Sequence, residues 1–150
     1  MRWPRTLFEA AAAAVLLWST PLHAADKQTH FLQIWILPDR QGIAPGYEQK
    51  AFAAADKRGT LKLVASPDGR DESVTIHADA SMYAGLFDGA ERAELALDNE
   101  RLAYAHVVRG RVNLNGQPLH AGDAAKLSGE SRLVIDQGHE AEVIVFDLSR

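Results

Sequence analysis

From Leu61 onward the chain carries its apolar residues in short runs, and a turn signal breaks the pattern at intervals of roughly ten residues. Leu61, Leu63 and Ala65 alternate with Lys62, Val64 and Ser66 before Pro67-Asp68-Gly69 closes the run. Val74 with Ile76, Met82 to Phe87, Ala93 to Leu97 and Leu102 to Val108 follow, with Asp88-Gly89 and Asp98-Asn99 between the later ones. Val112 and Leu114 lead into Asn115-Gly116, a pair that tolerates positive φ at both positions and so favours a two-residue hairpin. Gly122-Asp123 turns the chain again, and Leu133 with Ile135, then Val143 with Val145, complete the series. Successive residues of a strand face opposite ways, so strands this short hide an apolar face only in a closed or stacked sheet. The expectation is an all-β sandwich or barrel. The sole helical candidate is Gln49 to Arg58, and its apolar residues are mostly Ala.

Upstream, Phe31 to Leu37 (FLQIWIL) is nearly continuous apolar sequence and reads as a strand buried on both faces. Pro38-Asp39 and Pro45-Gly46 then punctuate a long connection, and the one plausible boundary falls near Pro67 to Asp71. The upstream part is too poor in apolar residues for a core of its own, so it is expected to pack as an arm on the barrel. A length of 150 residues suits one domain. The first 25 residues have the order of a secretory signal. Arg2 and Arg5 precede the apolar run Ala10 to Trp18, then come Ser19-Thr20-Pro21 and the small pair Ala24-Ala25. Glu9 and the bulky Leu22 and His23 depart from that pattern. The run is too short to span a bilayer, so no membrane partner is expected of the mature form. A working signal implies a periplasmic or secreted protein; a chance N-terminus before a truncated coding region implies a cytoplasmic one.

The formal net charge is -4, and no run of Lys or Arg accompanies aromatics, which argues against a nucleic-acid partner. The absence of Cys removes disulfides, thiolate metal sites and a Cys nucleophile. Ser66 and Ser73 lack a Gly-x-Ser-x-Gly setting, and there is no phosphate loop.

Several blocks stand in one order along the chain. They begin with His30-Phe31-Leu32-Gln33-Ile34-Trp35-Ile36-Leu37-Pro38 and Pro45-Gly46-Tyr47-Glu48-Gln49-Lys50. Leu63-Val64-Ala65-Ser66-Pro67-Asp68-Gly69-Arg70-Asp71, Ile76-His77 and Tyr83-Ala84-Gly85 come next. The series ends with Val108-Arg109-Gly110, Leu114-Asn115-Gly116, Leu119, Ala121-Gly122-Asp123-Ala124 and Phe146-Asp147-Leu148. In these blocks the chain resembles the C-terminal half of pirin-family proteins, bicupins that include quercetin 2,3-dioxygenase-like members. The resemblance implies a single cupin-type jelly-roll β-barrel over residues 61–150. It also implies an N-terminal strand and connecting arm over 26–60, with the possible signal at 1–25.

In that family the metal is held by three His and one Glu of the N-terminal barrel, in His-x-His and His-x-Glu segments upstream of the block that begins here at His30. The six histidines here, at 23, 30, 77, 106, 120 and 139, include no pair two apart. Within the remaining barrel, the corresponding ligand positions fall near Leu97, Asn99 and Ala103, and near Glu130, Arg132 and Leu133, which do not make a ligand set. No residue is therefore assigned as catalytic, cofactor-binding or metal-binding, and no cofactor is expected.

Other residues have a sharp and a plain reading. His106, on one face with Tyr104 and Val108, reads as a general base or as a hydrogen-bonded histidine inside the barrel, the second being favoured. His77 and Tyr83 read as cavity lining or, preferably, as core. Asp68, Arg70 and Asp71 read as a ligand loop or, more simply, as a turn with a local ion pair. Gly110, Gly116 and Gly122-Asp123 read as scaffold that needs positive φ or a tight turn. The functional expectation is a metal-free C-terminal cupin module of a pirin-like protein, non-catalytic by itself and structural or interaction-mediating. Its partner is expected to be a second copy, as a homodimer, or a partner cupin barrel. The alternatives are a quercetin 2,3-dioxygenase-like oxidoreductase whose metal barrel comes from another chain, and a periplasmic cupin that binds a small-molecule ligand in its interior.

Overall fold

A computed structural model describes residues 30–150; the signal-like segment at 1–25 lies outside the described residues. The elements are α1 (Ala54–Lys57), β1 (Lys62–Ser66), β2 (Val74–Thr75), β3 (Ala80–Phe87), β4 (Ala93–Ala96), β5 (Leu102–Leu114), β6 (Gln117–His120), β7 (Ala124–Ser128) and β8 (Arg132–Leu148). The strands form one sheet in the order β2-β1-β3-β8-β5-β6, with β4 also paired to β8 and β7 to β5. This is the expected jelly-roll barrel.

Two long strands make the barrel. Leu102–Val108 and Val112–Leu114, read as separate strands in the sequence, are the two ends of β5, and Leu133–Ile135 and Val143–Val145 are the two ends of β8. The first half of β5 pairs with β7 and the second half with β6. The first half of β8 pairs with β4 and the second half with β3. Between those halves the β5–β8 register shifts at three places, around Gly110 and residues 136–140. A bulge bends a strand and raises its twist, so these shifts fold the sheet back over its own inner face. Gly110 takes φ +67 there, so the positive φ expected of it serves a bend within β5 and not a hairpin. The hairpin proper is at Asn115 (φ 48) and Gly116 (φ 79), joining Leu114 to its partner Gln117 as a primed two-residue turn requires.

The bend encloses one core of buried side chains, including Phe87, Ala103, Ala105, Val107, Val112, Leu114, Leu133, Ile135, Val143 and Val145. A second core lies on the other face, with Val64, Ala65, Val74, Ile76, Met82, Ala84 and Ile144 buried, and Leu32, Ile34, Ile36 and Phe52 of the N-terminal arm packed over them. With that second layer in place, the strand expected at Leu61 to Ser66 is buried on both faces, Val64, Ala65 and Ser66 all being fully covered. The expectation for Phe31 to Leu37 is corrected: the segment is neither a strand nor buried on both sides. It runs extended, laying Leu32, Ile34 and Ile36 on the sheet and leaving Phe31, Trp35 and Leu37 at 63%, 71% and 80% exposure. The helical candidate shrinks to the four residues of α1. It stops where Arg58 turns extended, and the amide of Gly59 then donates to the carbonyl of Leu86 at 2.8 Å.

Candidate functional site

In a cupin the chemistry sits inside the barrel, so the inner core decides what this barrel is able to hold. Of the positions expected to correspond to metal ligands, Ala103 and Leu133 are buried in that core and Leu97 packs against it. Asn99, Glu130 and Arg132 are exposed in the turns and strand end outside it. The Arg132 guanidinium reaches Glu94 at 3.8 Å. Among the described residues no three His, Cys, Asp or Glu side chains converge within reach of a metal ion. Methyl and methylene groups offer a metal no lone pair, so the residues present do not fit the centre that the resemblance places in the other barrel.

His106 does not point into this core. The inward residues of β5 are Ala103, Ala105 and Val107, whereas Tyr104, His106 and Val108 are half-buried on the opposite face. Tyr104 packs there on Phe146, with ring centroids 6.0 Å apart. His106 has no hydrogen-bond partner among the described side chains, so the favoured reading, a hydrogen-bonded histidine inside the barrel, is corrected. The phase of the alternation, which tertiary packing sets, decides the matter. His77 is also corrected: it is exposed, and only its carbonyl is engaged, by the amide of Asp39 at 2.8 Å. Tyr83 does pack against the inner core.

The Asp68 loop is a built structure. The Ser66 hydroxyl donates to Asp68 Oδ1 at 3.0 Å, and the Arg70 amide and guanidinium donate to the same oxygen at 3.3 and 3.0 Å. Arg70 also donates to Ser81 Oγ at 3.1 Å, and Ser66 Oγ lies 2.7 Å from Ser73 Oγ. The Ser66 hydroxyl, and after it the Arg70 amide, hold the Asp68 carboxyl below the usual carboxylate range. Asp68 and Arg70 are thus held within the loop, and Asp71 and Glu72 beside them take positive φ. The loop is a turn with a local ion pair, as favoured.

Sequence reasoning passed over a polar depression on the outer surface, where β5, β6 and β8 meet at the bulge. It measures about 450 Å³ and is lined by Arg111, Asn113, Pro118, His120, Gln137 and His139, among others. The signal was present only as scattered residues, since the register that unites them is a tertiary property.

Comparison with known proteins agrees with this fold. Residues 63–148 match the family model described as the quercetinase C-terminal cupin domain. A quercetin 2,3-dioxygenase of Escherichia coli is 34% identical over 125 residues, covering 83% of this chain and 53% of that protein. A pirin-like protein of Caulobacter vibrioides is 31% identical over 120 residues, covering 79% of this chain and 52% of its own length. Among solved structures, a bacterial pirin from Escherichia coli in complex with nickel(II) superposes with a TM-score of 0.73 at 36% identity, over 80% of this chain and 51% of that one. The chain spans about half the length of the curated relatives it matches.

Proposed function

The chain belongs to the quercetinase C-terminal cupin domain family, and from that premise we propose that it is a metal-free, non-catalytic cupin module whose role is to dock a second cupin barrel. The observation that carries this reading is the filled interior: where a metal-holding cupin carries ligands, this barrel holds Ala103 and Leu133 within an apolar core. The exposed face of the arm supports the docking half of the proposal. Phe31, Trp35 and Leu37 lie on one edge of an extended segment with no layer over them among the described residues. Burying one such side chain fully is worth about 1.5–3 kcal/mol, so the stripe favours a covering partner. A second cupin barrel is the partner proposed, a reading supported by about half of the relatives' length lying beyond the part matched here.

A second reading, favoured by the same stripe and by the unmatched half of the relatives, is a quercetin 2,3-dioxygenase-like activity in which the docked barrel provides the metal. One experiment separates the two. The purified chain is loaded with nickel(II) or iron(II), freed of excess metal, analysed for metal content and assayed for oxygen-dependent loss of quercetin, alone and with the N-terminal barrel of the Escherichia coli relative. The module reading expects metal far below one equivalent and no turnover by the chain alone. Retention of about one equivalent of metal, or turnover by the chain alone, overturns it. Turnover that the added barrel gains only when this chain is present establishes the second reading.

A further inference from the structure

We propose that the depression at the β5–β6–β8 junction binds a small organic anion, with Arg111 as the group that grips its carboxylate or phosphate. Directly opposed residues of neighbouring strands share a face of the sheet. Arg111 is opposed by His120 of β6 on one side and by His139 of β8 on the other. The three therefore form a row across three strands, and all three are exposed. Asn113 extends the row by one step, opposite Pro118 of β6 and Asp136 of β8. The lining includes no Asp or Glu.

Arg111 is set apart from the other arginines. Among the described residues, Arg40, Arg58, Arg70, Arg92, Arg101, Arg109 and Arg132 each face a carboxylate, and Arg150 donates to the Asn99 carbonyl and Ser128 Oγ. Arg111 alone has neither salt bridge nor side-chain hydrogen bond there. A guanidinium offers a planar fork of donors that matches a carboxylate or phosphate, and it stays charged at every pH the fold survives. In a protein of net charge -4, Arg111 makes no ion pair among the described residues, and the two acids beside the row, Asp123 next to His120 and Asp136 opposite Asn113, do not line the depression, so its guanidinium is left for a negative ligand.

The backbone shapes the depression. Arg111 to Asn113 spans two steps on β5, while their partners His139 and Asp136 are three apart on β8. The extra residue forms a bulge at Gln137, which takes φ 50, and Gly138. Gly138 sits so close to Phe87 that an added Cβ would stand 2.5 Å from the Phe87 Cβ. The bulge is thus anchored on a fully buried core residue and held open as a fixed shape. Asp123 steadies the far end of the row: its Oδ2 accepts the His120 backbone N–H at 2.9 Å and lies 3.7 Å from His120 Nδ1. Pro118, exposed on β6, adds apolar surface beside the cation, so the fitting ligand has an apolar body and one oxyanion.

The test is a backbone-amide NMR titration of the unmodified protein with benzoate, acetate, inorganic phosphate and the neutral benzamide. Saturable shifts confined to residues 111–113, 118–120 and 137–139 with an anion, absent with benzamide, are the expected result. Benzoate binding tighter than phosphate marks a carboxylate ligand, and the reverse order a phosphate one. Arg111→Gln is expected to weaken binding at least tenfold, while Arg132→Gln leaves it unchanged. Shifts that do not saturate, that fall elsewhere, that benzamide reproduces, or that Arg132→Gln weakens as much as Arg111→Gln, overturn the site. The map from the unmodified protein decides the question even where the Arg111 variant fails to fold.

Discussion

A Cβ placed on Gly110 would stand 2.3 Å from the carbonyl oxygen of His139 and 2.4 Å from that of Glu140. The closeness is how the two long strands bend together: β5 passes over the β8 bulge with no room for a side chain, in a backbone conformation (φ +67) that L residues rarely adopt. Both the barrel closure and the placement of Arg111 depend on this crossing. Gly110→Ala is therefore expected to destabilise the fold by about 3 kcal/mol or more, since steric overlap adds to the strain of about 1–3 kcal/mol for the left-handed backbone. Denaturant unfolding checks it; a loss below about 1 kcal/mol would mean that the crossing has slack.

The arm allows a sharper contrast. Ile34 faces the sheet and Trp35 faces away from it, though they are neighbours in the chain. Ile34→Ser should lower stability by about 1–2 kcal/mol, as expected for the loss of a half-buried aliphatic side chain. Trp35→Ser with Leu37→Ser should leave stability nearly unchanged and shift the protein toward monomer or weaken its hold on a second barrel. Light scattering beside thermal melts separates the two effects. A monodisperse monomer at high concentration in the unmodified protein, with no affinity for a second barrel, would remove the docking role.

Acid should weaken the fold through two surface carboxylates. The ammonium of Lys50 and then the amide of Thr75 hold the Glu48 carboxyl below its ordinary range, as the Ser66 hydroxyl does for Asp68. A carboxyl whose folded pKa is lowered stabilises the fold in full above its unfolded pKa of about 4, and the benefit fades as pH drops toward the folded value. Melting temperature is thus expected to be flat on the neutral side and to fall below about pH 4. The double variant Glu48→Gln, Asp68→Asn should lie lower at neutral pH and lose less on acidification. An unchanged acid slope in that variant would assign the loss to other groups.

At the end of the barrel, Arg101 donates to Asp147 Oδ1 at 2.7 Å, to Asp79 Oδ1 at 2.8 Å and to the Asp79 carbonyl at 3.2 Å. One guanidinium thus ties the β4–β5 turn to the loop before β3 and to the last turn of β8. It is only a quarter exposed, so these bonds are screened less than those of a surface pair. Arg101→Met keeps the apolar stem and removes the donors, and is expected to cost about 1–2 kcal/mol. Urea unfolding measures it, and a change within error would class the clamp with ordinary surface pairs.

The all-β class, the Asn115-Gly116 hairpin and the kinship with pirin-like proteins were legible in the residues themselves. They rest on local rules: side chains alternate along a strand, and the left-handed backbone of a primed turn selects Asn and Gly. Which face of a strand meets a second layer depends on what packs across it, from anywhere in the chain. The arm that packs over Val64 and Ala65 begins about thirty residues before them, and the same packing turns His106 outward and leaves Trp35 in solvent. The row of Arg111, His120 and His139 is likewise scattered in sequence and exists only through strand register. A bulge shifts that register by one residue at a place where Gly110 and Gly138 can accept the close approach, and no local rule announces it.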